Sequence, residues 1–300
     1  MNEGICVYMT EQKSEAQVAI IIPVYNEKES LESVLQAIRN IVQNNPQYEI
    51  IVVDDGSTDG LDITPFRDLI SQFHKHEKNM GYGAAIKTGL RNTRAEKIVI
   101  MDADGTYPPS AIPELVRALE DCEMAVGART GKNVEIPIFR QPAKYLLGKI
   151  ANYLAETEIP DLNSGMRAFW RKEAEPYYHI LPRGFSLTTT LTLAFLSSDL
   201  RVKYIPIDYH KRTGKSKIQP IRDTRNILMT ILRTIIYFNP LKVCLPLSVF
   251  LFLLALVVLL YSGLYLNRIM DGTVSVLTLG GVQILAIGLL ADLIARRSGR

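Results

Sequence analysis

Two aspartates, Asp102 and Asp104, follow the apolar run Val99-Ile100-Met101 and precede Gly105. A continuous β-branched and apolar run suits a strand covered on both faces of a parallel sheet. If the backbone stays extended past it, side chains at i and i+2 point the same way, and both carboxylates address one small volume. Such a pair suits a hard cation. Mg²⁺ takes one or two protein carboxylates, waters and the oxygens of a substrate phosphate, so Asp102 and Asp104 could hold a nucleotide's diphosphate through a metal. The same pair could instead cap a helix beginning near Ser110 or solvate a turn, and only its surroundings decide between these uses.

Those surroundings read as alternating strands and helices. Val18 to Ile22 is a buried strand that Pro23 ends, because proline cannot donate to a ladder. Pro23-Val24-Tyr25-Asn26-Glu27 leads into a helix from Lys28 to Gln43, with Leu31, Val34, Leu35 and Ile38 at helical spacing. Glu49 to Val53 is a second strand, running into the turn-forming Asp54-Asp55-Gly56-Ser57-Thr58-Asp59. Further helices are predicted at Ser110 to Asp121, Arg140 to Ala155 and Thr188 to Leu196, and strands at Glu123 to Ala128, Ala168 to Trp170 and Val202 to Tyr209. This alternation implies right-handed crossovers and a mostly parallel sheet, with ligands at the carboxyl ends of its strands. Three acidic or polar loops then converge on one cleft. Gly81-Tyr82-Gly83 lacks the third glycine of a dinucleotide fingerprint, since Ile86 stands there, and reads as a glycine-opened helix packed closely on the sheet. His74, His76, His179 and His210 lack metal-ligand spacing and read as packing or surface residues.

Composition separates a second part of the chain. Charges are spread through the sequence up to Lys217, whereas Leu241 to Leu266 carries only Lys242, at its start. As a helix this stretch is about 39 Å long and Val274 to Ile294 about 31 Å, enough to cross a hydrocarbon core of about 30 Å. Two spans joined by the turn Asn267 to Thr273 are predicted. Before them, residues 219–240 include the stretch Asn226 to Phe238, which sets Ile227, Leu228, Ile231, Leu232, Ile235 and Phe238 opposite Thr230, Arg233, Thr234 and Tyr237, as a helix lying in a membrane interface would. Arg222, Arg225, Arg233 and Lys242 flank the first span and Arg296, Arg297 and Arg300 follow the second. The positive-inside tendency predicts a cytoplasmic globular domain and C-terminus. Residues 1–17 read as a frayed tail without a signal peptide's apolar core. A net charge of +3 and no interleaving of aromatic and basic residues argue against nucleic acid. Cys6, Cys122 and Cys244 indicate neither a disulfide framework nor zinc.

Five segments, Pro23 to Glu27, Val53 to Ser57, Asp102 to Gly105, Asn163-Ser164-Gly165-Met166-Arg167 and Gly214-Lys215-Ser216-Lys217, resemble in order and spacing family 2 glycosyltransferases of the polyprenyl-phosphate type. The likeness covers residues 18–217, plus a membrane hairpin found in part of that group. It implies a GT-A fold (an α/β, Rossmann-like, mostly parallel sheet flanked by helices), a nucleotide-diphosphate sugar, Mg²⁺ or Mn²⁺, and inversion at the anomeric carbon. By position it implies that Pro23, Tyr25, Glu27, Val53 and Asp55 bind the nucleoside and that Asp102, Ala103 and Asp104 form the metal and diphosphate segment. Arg129, Lys211 or Arg212, and Lys217 match cationic positions around the donor phosphates and the acceptor, with Arg129 counted among the catalytic set; Arg140, Ser164 and Arg167 match an acceptor-phosphate pocket. Where related mannosyltransferases carry a metal-binding glutamine two residues after the second aspartate, this chain has Thr106.

The expected reaction moves a hexose from GDP-mannose, UDP-glucose or UDP-N-acetylglucosamine to a polyprenyl (dolichyl or undecaprenyl) phosphate at the cytoplasmic face of the membrane, with self-association of the two-helix anchor left open. Two other readings compete. A processive polysaccharide synthase would carry a QxxRW motif, which the single tryptophan, Trp170, does not provide. A membrane-anchored nucleotide-sugar-binding scaffold would dispense with the aspartate pair.

Overall fold

The computed structural model describes residues 5–9, 16–43, 45–130, 149, 152–153, 156–184, 186–210, 220–265 and 270–298, with backbone only at 5–9, 220–227, 296 and 298. The chain divides into two compact units, Met1–Thr230 and Ile231–Arg300.

In the first unit the strands are β1 (Ile5–Met9), β2 (Val18–Val24), β3 (Tyr48–Asp54), β4 (Gln72–His76), β5 (Lys97–Ile100), β6 (Met124–Ala128), β7 (Arg167–Trp170) and β8 (Val202–Pro206). They form one sheet in the order β1-β4-β3-β2-β5-β7-β6-β8. β4, β3, β2 and β5 run parallel, as do β6 and β8, while β7 is antiparallel to both its neighbours and β1 to β4. The mostly parallel sheet expected from the alternation is therefore present, with one reversed strand beside its centre.

Side-chain alternation along β2 builds the layers. Val18, Ile20, Ile22 and Val24 enter one core with Leu31, Val34, Leu35 and Ile38 of α1 (Lys28–Ile41) and Ile112 and Leu115 of α3 (Ile112–Ala118). Ala19 and Ile21 enter the other, with Ala85, Ile86 and Leu90 of α2 (Tyr82–Arg91). After the short α4 (Arg171–Ala174), Leu187, Leu191 and Phe195 of α5 (Leu187–Ser197) join that second core. Period-two strands thus sort their apolar residues to helices on both faces.

Several sequence expectations change. Pro23 does not end β2; it lies inside it, in register with Val53. Met101 donates to the Ile21 carbonyl, so alternate residues of β2 face β5, but that pairing stops at Ile21 and Ile100. Pro23 points past the end of β5, where a missing N–H breaks no ladder bond. Ile5–Met9, assigned to the frayed tail, forms the edge strand β1, and β4 was not foreseen because Gln72-Phe73-His74-Lys75-His76 has only one strongly apolar residue. β8 ends at Pro206 rather than Tyr209. Helical residues 149, 152 and 153 lie within the predicted helix 140–155, most of which is outside the described residues.

α6 (Pro220–Phe238) spans the boundary between the units. Ile231, Thr234 and Ile235 are buried and Arg233, Ile236 and Tyr237 exposed, so Thr234 belongs to the buried stripe and not to the polar one. In the second unit α7 (Leu241–Tyr265) and α8 (Asp271–Ser298) are both long and apolar enough to cross a membrane. α8 starts three residues earlier than predicted, with Asp271 in the first turn, where a carboxylate favours the helix dipole. A methyl added at Gly281 would lie 2.8 Å from Phe252, and one at Gly288 would lie 2.5 Å from Cys244, so glycine brings the two helices together. Within α8, Gln283 is exposed.

Gly89 shows how closely α2 meets the sheet: a Cβ there would lie 2.6 Å from Ile21 Cγ2. Gly89→Val is predicted to destabilise the protein by about 1–3 kcal/mol through overpacking, measured as a lower thermal midpoint of the detergent-solubilised protein.

Candidate active site

The parallel register aligns the carboxyl ends of β2, β3 and β5, so the three loops foreseen to converge leave one edge of the sheet. The first two are stitched together. Asn26, at a left-handed φ of 54°, donates its N–H to Ser57 Oγ at 3.0 Å, while its own Oδ1 accepts the Thr58 N–H at 2.7 Å. Asp59 accepts the Lys28 N–H at the start of α1 at 3.0 Å. Tyr25, Asn26 and Glu27 are half-buried, whereas Pro23 and Val53 are buried in β2 and β3.

Asp55 holds the next loop from inside the protein. It is 3% exposed; Oδ1 accepts the Met80 N–H at 2.9 Å and lies 2.7 Å from His76 Nδ1, and Oδ2 accepts the Gly81 N–H at 2.8 Å. His76 Nε2 reaches Thr88 Oγ1 of α2 at 2.9 Å. A residue foreseen to read the nucleoside therefore also fixes the turn that starts α2. Gly81 has φ 105°, and a Cβ there would lie 2.5 Å from the Arg183 carbonyl. The glycine pair thus packs α2 against residues 182–184, with Gly89 meeting the sheet. Of the histidines, His76 is a buried link between elements, while burial, followed by the nearby His76, lowers the His74 pKa.

Beyond β5 the condition of an extended backbone is not met; the chain bends over residues 103–105, with Gly105 at φ 72°. Each aspartate meets a hydroxyl. Tyr82 donates its O–H to Asp102 Oδ1 at 2.8 Å. Thr106 donates both its O–H, at 2.6 Å, and its N–H, at 3.1 Å, to Asp104 Oδ1. Ala103 is buried, and its carbonyl accepts Ser30 Oγ of α1 at 2.8 Å. Asp102 also packs against Gly165, where an added Cβ would be 2.5 Å from Oδ2. Pairing of antiparallel β7 with β5 causes this approach: Ile100 faces Arg167, so two residues further on the Asn163 to Met166 segment meets Asp102. The Gly165 N–H donates to Tyr107 Oη at 2.7 Å.

Among the described residues, two cations of the implied site, Arg129 and Arg167, have partners inside the fold. Arg129 forms a two-pronged ion pair with Asp161, Nε to Oδ2 at 2.7 Å and Nη2 to Oδ1 at 2.8 Å, and lies over the Tyr209 ring. Burial pulls its pKa down, but the Asp161 hydrogen bond, Tyr107 and Tyr209 raise it further than burial lowers it. Ser164 and Arg167, implied to bind an acceptor phosphate, are fully buried. Ser164 donates to the Gly127 carbonyl at 2.5 Å. Arg167 donates to the Thr188 carbonyl at 2.7 Å, to Thr192 Oγ1 at 2.8 Å and to the Ser164 carbonyl. Burial lowers the Arg167 pKa, yet arginine keeps its charge. In this geometry both residues tie β7 to α5 and β6. Arg140, Lys211, Arg212 and Lys217 lie outside the described residues.

Among the described residues no three His, Cys, Asp or Glu side chains gather as a metal cage. Asp102 and Asp104 nevertheless fit a hard cation of the Mg²⁺ or Mn²⁺ kind, offering oxygen donors from two carboxylates in a segment anchored on both sides, with the remaining ligands left to phosphate and water. Sequence reasoning did not assign Tyr82, His76, Tyr107 or Asp161. No spacing in the sequence marks Asp161 as the partner of Arg129.

The family Glycosyl transferase family 2 matches residues 19–177, and the GtrB C-terminal hairpin matches residues 239–296. Dolichol-phosphate mannosyltransferase of Pyrococcus furiosus is 30% identical over 217 residues, 68% of this chain and 59% of that protein. Undecaprenyl-phosphate mannosyltransferase of Micrococcus luteus is 29% identical over 216 residues, 67% of this chain and 87% of that one. Undecaprenyl-phosphate 4-deoxy-4-formamido-L-arabinose transferase of Proteus mirabilis is 30% identical over 52% of this chain and 49% of its own length, so the chain spans about half to three fifths of two of these three relatives. Among solved structures, glucosyl-3-phosphoglycerate synthase from Mycobacterium tuberculosis, in complex with Mn²⁺, uridine-diphosphate-glucose and phosphoglyceric acid, shares the fold, with a TM-score of 0.57 and 21% identity over 74% of this chain and 81% of that one.

Arg167→Met is predicted to lower stability by about 2–4 kcal/mol, because it strands buried carbonyls that the guanidinium now satisfies. Thermal unfolding followed by intrinsic fluorescence would check this.

Proposed function

The chain belongs to glycosyl transferase family 2, and from that premise we propose that it moves a hexose from a nucleotide-diphosphate sugar to a polyprenyl phosphate, with inversion, at the cytoplasmic face of a membrane. The observation carrying this reading is the Asp102-Ala103-Asp104 segment, anchored at the carboxyl edge of the sheet, in a chain that also carries two apolar helices matching a glycosyltransferase hairpin. The names of two relatives, dolichol-phosphate mannosyltransferase and undecaprenyl-phosphate mannosyltransferase, support a lipid phosphate as acceptor.

In this reading Pro23, Tyr25, Glu27, Val53 and Asp55 form the nucleoside side of the site, with Asp55 also bracing the Met80-Gly81 turn. Asp102 and Asp104 hold Mg²⁺ or Mn²⁺, which when bound neutralises charge on the leaving diphosphate. A phosphate monoester has a second pKa of about 6, so the lipid phosphate is an anionic nucleophile near neutrality and needs no strong general base. The protein's task is to bring two anionic groups together. Lys211, Arg212 and Lys217 supply cations for that purpose, and Arg140 the acceptor end; Arg129, held by Asp161 and Tyr209, lines the approach. Ser164 and Arg167 act by holding Gly165 against Asp102.

Purified full-length protein with Mg²⁺ or Mn²⁺, a polyprenyl phosphate and radiolabelled GDP-mannose, UDP-glucose or UDP-N-acetylglucosamine is expected to give an organic-extractable lipid product with one donor. Asp104→Ala should reduce that product at least a hundredfold, about 2.7 kcal/mol of transition-state stabilisation. No lipid product with any donor would refute the reading; a labelled polymer would favour a polysaccharide synthase, and an unimpaired Asp104→Ala in cells a binding scaffold.

A further inference from the structure

We propose that Tyr82 and Thr106 are positioning residues for the aspartate pair, each aiming one carboxylate through a hydroxyl hydrogen bond. The inference rests on the reading of Asp102 and Asp104 as cation ligands. The two hydroxyl residues come from different elements: Tyr82 opens α2, whereas Thr106 follows the bend after β5.

Tyr82 is held rigidly. The two amides before it, of Met80 and Gly81, rest on buried Asp55, which His76 links in turn to Thr88 one and a half turns along α2. From the other side, the Arg183 carbonyl accepts the Ala84 N–H at 3.0 Å and leaves no room for a side chain at Gly81. The phenol therefore meets Asp102 Oδ1 with little freedom, while the Gly165 backbone closes on Oδ2.

Thr106 is fully buried, and its carbonyl accepts the His210 N–H at 2.9 Å, fixing its backbone. Its hydroxyl and amide converge on a single oxygen of Asp104. In this geometry Thr106 orients the neighbouring carboxylate and is not itself a cation ligand, where the related mannosyltransferases use a glutamine. Partners that hydrogen-bond a ligating carboxylate set its direction, and their loss costs roughly 10–100-fold in metal affinity.

The test is direct binding of Mn²⁺, followed by electron paramagnetic resonance, to the full-length protein with GDP or UDP present, for wild type, Tyr82→Phe, Thr106→Val and Thr106→Ser. Tyr82→Phe and Thr106→Val should each weaken Mn²⁺ binding about tenfold or more, and Thr106→Ser should remain within about threefold of wild type, because it keeps the hydroxyl. Unchanged binding in Tyr82→Phe and Thr106→Val would overturn the proposal, as would Thr106→Ser binding as weakly as Thr106→Val. If Tyr82→Phe lowers the thermal midpoint, the near-isosteric valine and serine pair at position 106 decides. Wild-type protein that binds no Mn²⁺ with either nucleotide would instead refute the reading of the aspartates as cation ligands, a different failure.

Discussion

Two carboxylates placed one residue apart repel each other, and the fold must fix each of them at the end of a buried strand. A hydroxyl on each of Asp102 and Asp104, the Ser30 bond to the carbonyl between them and the Gly165 backbone against Asp102 achieve this. Neutral donors hold a carboxylate without cancelling its charge. The pair keeps its attraction for a cation, and the rest of the first unit can be understood as the framework that aims it.

That framework is made largely of connections across the sheet's carboxyl edge. Asp55 links β3 to β4 through His76 and to the start of α2 through two amides; α2 then delivers Tyr82. Reversed β7 delivers Gly165 from the opposite side, and buried Arg167 fastens β7 to α5. A fully buried guanidinium is costly unless its donors are satisfied. Here the two terminal nitrogens meet the Thr188 and Ser164 carbonyls and the Thr192 hydroxyl, while Nε is buried without a hydrogen-bond partner among the described residues.

Much of this was legible in the sequence because it rests on local pattern. The apolar runs of β2, β3 and β5, the helical spacing of Leu31, Val34, Leu35 and Ile38, and the two long apolar helices announce themselves, as does the convergence of three loops once strands and helices alternate. What sequence missed depends on contacts between distant residues. β4 has little apolar periodicity, and the pairings of Tyr82 with Asp102, Arg129 with Asp161 and His76 with Asp55 join positions that no spacing rule connects. The condition that the backbone stay extended past Asp102 is not met, because the chain bends over residues 103–105; hydroxyl partners supply the aim that strand geometry does not.

The central claim is that this pair forms half of a cation site completed by a nucleotide's diphosphate. Calorimetric titration of Mn²⁺ into the wild-type protein, with and without saturating nucleoside diphosphate, tests it most directly. The account predicts weak binding to the protein alone and at least tenfold tighter binding with the diphosphate, a coupling of about 1.4 kcal/mol or more. Equal affinity in both conditions would contradict it.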